Sequence, residues 1–98
     1  MDILRQDKTT VLYPQGDLTI FEAAEFHQAL LQLVNEPGAL TLDLSRVNRM
    51  DTSGIQLLLA ASREERVHIV NAPPSVRSLM ETLGCVAVLR GRTESIRP

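Results

Sequence analysis

Between Ala39 and Ala61 the chain changes its hydrophobic period, and that change limits what it can fold into. In ALTLDL, residues 39–44, Leu40, Leu42 and Leu44 fall on every second position, the spacing of a strand with one buried face. After a short polar loop, residues 52–63 form the most apolar stretch of the chain, with Ile55, Leu57, Leu58, Leu59, Ala60 and Ala61. A run apolar on nearly every side reads as a helix buried on more than one face, or one facing a partner.

The flanking segments extend the alternation of strand and helix. Residues 3–5 and 10–15 read as two short strands, close enough in sequence to pair antiparallel, and Gly16-Asp17 breaks the pattern after them. A helix is expected over 19–34. Thr19 and Glu22 have capping-box spacing, and Ala23, Phe26, Leu30 and Leu33 form one apolar stripe that Pro37-Gly38 ends. Val67–Val70 is a β-branched strand. Pro73-Pro74 opens a third helix, carrying Val76, Leu79, Met80 and Leu83 at i, i+3, i+4 and i+7 and closed by Gly84. Val86–Leu89 is expected as a last strand, and Arg90–Pro98 as a polar, flexible tail. The order β-β-α-β-α-β-α-β implies an α/β fold with a mixed, mostly parallel sheet. Its core is expected to bring Leu42, Leu44, Leu58, Ile69 and Leu79 together.

Ninety-eight residues suffice for one domain, read as residues 1–90 with the tail at 91–98. Charge and composition narrow the function. The net charge is −2, Trp is absent, and one Tyr and two Phe offer little for stacking on bases, so nucleic acid is not an expected partner. The one cysteine, Cys85, forms no intramolecular disulfide and reads as a buried, inert thiol. His27 reads as solvent-facing, and His68 has no second His or Cys near it, so no metal site is expected. Lys8 is the only lysine and no Gly-rich phosphate loop accompanies it, so neither cofactor nor enzyme activity finds support. No apolar run approaches the ~20 residues that a spanning helix needs, and the N-terminus lacks a signal-peptide core. A soluble cytoplasmic domain, not inserted in a membrane, is the expectation.

The chemistry concentrates in residues 42–55, where a strand ends and Asp51-Thr52-Ser53-Gly54 opens the apolar helix. Asp51 or Thr52 is suited to cap the free N–H groups there. The same groups and the helix dipole favour an anion, including a phosphate carried on a hydroxyl, so the motif reads either as a plain cap or as an anion site. Arg46 and Arg49 flank it and read as solvated loop charges or as contacts for an acidic group.

DLSRVNRMDTSGIQLLL resembles the signature of the STAS domain, shared by sulfate transporters and anti-sigma factor antagonists. Gln15-Gly16-Asp17-Leu18, Ala72-Pro73-Pro74-Ser75-Val76 and Leu83-Gly84 extend the resemblance over nearly the whole chain. It implies a non-enzymatic interaction switch in sigma-factor or chemotaxis-linked signalling. A partner serine kinase (an anti-sigma factor) would phosphorylate Thr52, or Ser53 beside it, and the partner surface would comprise Asp17, Asp51, Thr52, Ser53, Gly54 and Gln56. Gly54 is expected to let the partner approach closely. The usual residue at the Thr52 position is Ser. Thr also occurs there in small STAS proteins of chemotaxis operons and in the STAS subunits of Mla-type phospholipid transporters. The alternative is therefore a cytoplasmic subunit that docks on a transporter ATPase through an unmodified Thr52. The abrupt SREERV turn implies a second helix about one turn shorter than usual in the family.

Overall fold

The computed structural model describes residues 1–85. Its elements are β1 (Asp2–Gln6), β2 (Thr9–Tyr13), β3 (Gly16–Leu18), α1 (Ala23–Val34), β4 (Ala39–Asp43), β5 (Val47–Met50), α2 (Thr52–Ser62), β6 (Val67–Val70) and α3 (Pro74–Thr82). The α/β class and the three helices agree with expectation. The expected strand over 86–89 and the tail lie outside the described residues.

The main sheet has the order β1-β2-β4-β6. β1 and β2 pair antiparallel across a tight turn, while β2, β4 and β6 run parallel. The register explains the alternation in ALTLDL. Leu12 lies beside Leu42, Leu40 beside Val67, and Leu42 beside Ile69, and all five are buried on one face. Thr41 and His68, at the intervening positions, point away from that core, and His68 is exposed. Period two in the sequence is thus one covered sheet face.

Two strands depart from the expected order. Gly16–Leu18 and Val47–Met50, read as a break and a loop, pair parallel with each other as a second sheet, irregular at Gly16/Asp17. Neither carries the apolar alternation of a strand, because Asn48 and Arg49 stay in solvent and only Leu18 and Val47 are buried. This small sheet sits under the start of α2 and fixes where that helix begins.

The helices supply the second layer. Phe26, Leu30 and Leu33 of α1, Ile55, Leu58 and Ala61 of α2, and Val76 and Met80 of α3 join the sheet residues in one core. Leu42, Leu44, Leu58 and Ile69 are buried as expected. Leu79 is only half-buried, packed against the edge of the core, and Leu83 is exposed, because α3 buries fully only the i, i+4 pair Val76 and Met80. Cys85 is likewise half-buried, its Sγ donating to the Met80 carbonyl at 3.6 Å. α1 begins at Ala23, four residues later than expected. Thr19 to Glu22 form a turn of their own, in which Ile20 N–H is drawn off to Asp51.

Candidate functional site

Asp51 organises the start of α2. It is the N-cap in extended conformation, and its Oδ1 accepts the N–H groups of Ser53 at 2.9 Å and Gly54 at 3.4 Å. Of the two candidate caps, Asp51 therefore takes the role. Its Oδ2 accepts Ile20 N–H at 3.1 Å, tying the loop between β3 and α1 to the helix start. Thr52, the first helical residue, is exposed, as is Gln56 one turn on, while Ser53 is half-buried. The i, i+4 spacing places Thr52 and Gln56 on one outward face.

Gly54 has a different orientation from the expected one. It is buried, and a Cβ built there would stand 2.7 Å from the Leu18 carbonyl oxygen and 2.6 Å from Met50 Cγ. Its bare Cα lets α2 settle onto β3 and β5, so the close approach it permits is internal and not a partner's.

Asp17 lies on β3 opposite Arg49 of β5, their charged groups 4.0 Å apart at the surface. Arg46 is engaged elsewhere, donating to Asp2 at 2.8 Å with its guanidinium 4.3 Å above the Tyr13 ring. Asp43, which closes β4, accepts Ser45 N–H at 2.9 Å and the Asn71 side-chain amide at 3.0 Å. Partial burial opposes its ionisation, but the hydrogen bonds from Ser45 and Asn71 outweigh that and hold its carboxyl below the ordinary range. The Asp-Leu-Ser of the motif is thus a turn device.

An open cleft of about 560 Å³ lies between the β3–α1 loop and the start of α2, bordered by Asp17, Phe21, Glu22, Arg49, Asp51 and Ser75. Asp17 and Asp51 share it. Ser53 and Gln56 border a neighbouring depression with Ala23 and Ala24 of α1. The residues singled out from the sequence therefore gather at one end of the molecule, except that Gly54 faces inward. Ile20 and Phe21, absent from the motif, are 66% and 89% exposed, and Phe21 borders the cleft. One signal was available: Phe21 lies off the Ala23–Phe26–Leu30–Leu33 stripe.

The loop between β3 and α1 is firmly built. The Glu22 carboxylate accepts both the N–H of Thr19 at 3.0 Å and its hydroxyl at 2.7 Å, and Thr19 Oγ1 accepts Phe21 N–H at 3.3 Å. The hydroxyl bond first, then the backbone bond, lowers the Glu22 pKa. Among the described residues no cluster fit to hold a metal occurs, and no helix is long and apolar enough to cross a membrane.

A family model described as "Mlab, STAS domain" matches residues 1–90. The chain belongs to the STAS domain family. Solved STAS-like structures agree in fold. The anti-sigma factor antagonist SpoIIAA in its unphosphorylated form is 20% identical, with 97% of this chain and 91% of that one aligned at a TM-score of 0.72. An anti-sigma factor antagonist from Mycobacterium paratuberculosis is 23% identical over 84% and 74% of the two chains, with a TM-score of 0.74. A sulfate transporter family protein from Wolinella succinogenes is 15% identical over 88% and 75%, with a TM-score of 0.68. At these identities the likeness is one of fold. This STAS domain thus has the mixed, mostly parallel sheet and three helices of that family, with its signature residues at the start of α2.

Proposed function

We propose that this STAS domain is a protein-interaction switch of the anti-sigma factor antagonist type, docking a partner through the face around the start of α2. A partner serine kinase phosphorylates Thr52 in this reading, within sigma-factor or chemotaxis-linked signalling, and the domain carries out no catalysis itself. The observation that carries the reading is the exposed Thr52 at the first position of α2, with the neighbouring cap carboxylate already occupied by three N–H groups. A phosphate at that position enjoys the helix dipole, so the fold tolerates it. The neighbouring depression is bordered by Ala23, Ala24, His27, Ser53, Gln56 and Leu57 and holds no carboxylate. A partner packed over the start of α2 must desolvate the added charge of roughly −1.5 to −2, which weakens docking. Ser53 is the second candidate, disfavoured by its half-burial.

The description of the matched family supports a second reading. Here the domain is a cytoplasmic subunit of an Mla-type phospholipid transporter and docks on its ATPase through an unmodified Thr52. Intact-mass measurement after co-expression with candidate serine kinases separates the two. A phosphate adduct on wild type and on Ser53→Ala, lost in Thr52→Ala, supports the switch. An unmodified protein that co-purifies with a transporter ATPase overturns it in favour of the second reading.

A further inference from the structure

Ile20 and Phe21 stand apart from the other large exposed apolar side chains among the described residues. Ile3 and Leu4 lie on the edge strand β1, Leu31 on α1 and Leu83 beyond α3, away from the cleft. Single exposed apolar residues are ordinary at protein surfaces. Two adjacent ones on a turn with a fixed backbone are a different matter. Ile20 N–H is held by Asp51, Phe21 N–H by Thr19 Oγ1, and Glu22 N–H donates to the Thr19 carbonyl at 3.0 Å. A side chain presented on a fixed backbone loses little freedom when it is bound, which is what makes an interface anchor effective.

The surroundings specify what receives it. The cleft beside Phe21 is bordered by three carboxylates, Asp17, Glu22 and Asp51, and one cation, Arg49, which already faces Asp17. On the other side of the loop the neighbouring depression has no carboxylate on its border. The apolar anchor thus has an acidic border on one flank and one without carboxylates, carrying His27, on the side of Ser53 and Gln56.

We propose that Phe21, with Ile20 beside it, is the anchor by which the partner protein is recognised, and that the partner receives it in an apolar pocket edged by Lys or Arg side chains facing Asp17 and Glu22. The proposal rests on the reading that this face docks a partner. It adds which residues drive recognition and what the partner offers. The partner's cations meet the acidic flank, while a phosphate on Thr52 has to be desolvated at the start of α2, beside Ser53 and outside the border of the acidic cleft, so attraction at one flank and phosphate-induced repulsion at the other are compatible.

Photo-cross-linking in the cells that make this protein provides the test. Benzoylphenylalanine is placed at position 21, at position 56 on the outward face of α2, and at position 8 in the distant β1–β2 turn as a control, and the cross-linked peptides are sequenced. Positions 21 and 56 are expected to capture the same protein. The position 21 cross-link should fall among apolar residues with Lys or Arg adjacent, and Asp17→Asn with Glu22→Gln should weaken it. Phe21→Ser should cut capture from position 56 by about tenfold or more while leaving the unfolding midpoint unchanged. Capture from position 56 but not 21, or a position 21 cross-link on an acidic or purely polar surface, overturns the anchor and leaves the docking reading standing. Capture from neither above the position 8 level overturns both.

Discussion

The Asp51 carboxylate joins two segments 31 residues apart: while one oxygen caps α2, the other accepts the Ile20 backbone N–H at 3.1 Å. The helix that presents Thr52 and the loop that presents Phe21 are therefore positioned by one side chain. Asp51→Ala removes the cap and the cross-loop bond together, and should lower stability by about 1–2 kcal/mol. Asp51→Asn keeps one acceptor oxygen and should fall between Ala and wild type. Urea denaturation measures both. Equal midpoints for wild type and Asp51→Ala would mean that water replaces these bonds at no cost.

Gly54→Ala tests whether the glycine serves internal packing. The added methyl meets the Leu18 carbonyl, a backbone atom that does not yield, as well as Met50. The expected loss is about 1–3 kcal/mol, typical of overpacking, in the absence of any partner. An unchanged midpoint would return Gly54 to the partner surface.

Some of this was legible from the chain and some was not, for physical reasons. Leu40, Leu42 and Leu44 announce their strand because one sheet face is covered and the other is not. Val47–Met50 gives no such signal, since it pairs only with three residues of β3 and leaves Asn48 and Arg49 in solvent. Thr19 and Glu22 keep their capping-box spacing, but tertiary contact redirects it. With Ile20 N–H bound by Asp51, the carboxylate closes a turn ahead of α1. Arg66 is a similar case. In the SREERV turn it is one charge among several, yet its guanidinium donates to the carbonyls of Val34, Glu36 and Gly38 at 2.7–2.8 Å and so closes the end of α1. Hydrogen bonds between distant segments leave no period in a sequence, which is why Asp51, Thr52 and Ser53 stand out as a motif while Ile20 does not, and Phe21 only by lying off the apolar stripe of α1.

Glu22 provides a pH-dependent test of the loop. The Thr19 hydroxyl and N–H stabilise its ionised form, so its folded pKa lies below its unfolded one. The contribution to stability is thus fully present above the unfolded value and is lost as pH falls through the folded value. Carbon-detected NMR titration of the Glu22 carboxyl should give a midpoint below the ordinary glutamate value, returning towards it in Thr19→Ala. The same midpoint in both proteins would contradict the hydrogen bonding described.

Leu58 is fully buried at the centre of α2, against the same core as Leu42 and Ile69. Leu58→Ala should cost about 2–5 kcal/mol by denaturant unfolding, a large share of the roughly 5–15 kcal/mol such a domain has. A loss under about half a kcal/mol, the scale of an ordinary surface change, would mean that α2 turns this face outward.

Whether Thr52 is a switch on a face that docks a protein partner is decided by calorimetric titration of the kinase proposed to modify it with wild type, Thr52→Ala and Thr52→Glu, each checked for its unfolding midpoint. Near-equal affinity is expected for wild type and Thr52→Ala. For Thr52→Glu the affinity should be lower by about tenfold or more, because the buried charge goes unpaired at the interface, at an unchanged midpoint. Thr52→Glu binding as tightly as wild type would rule out the switch and leave Thr52 as no more than the first residue of a helix.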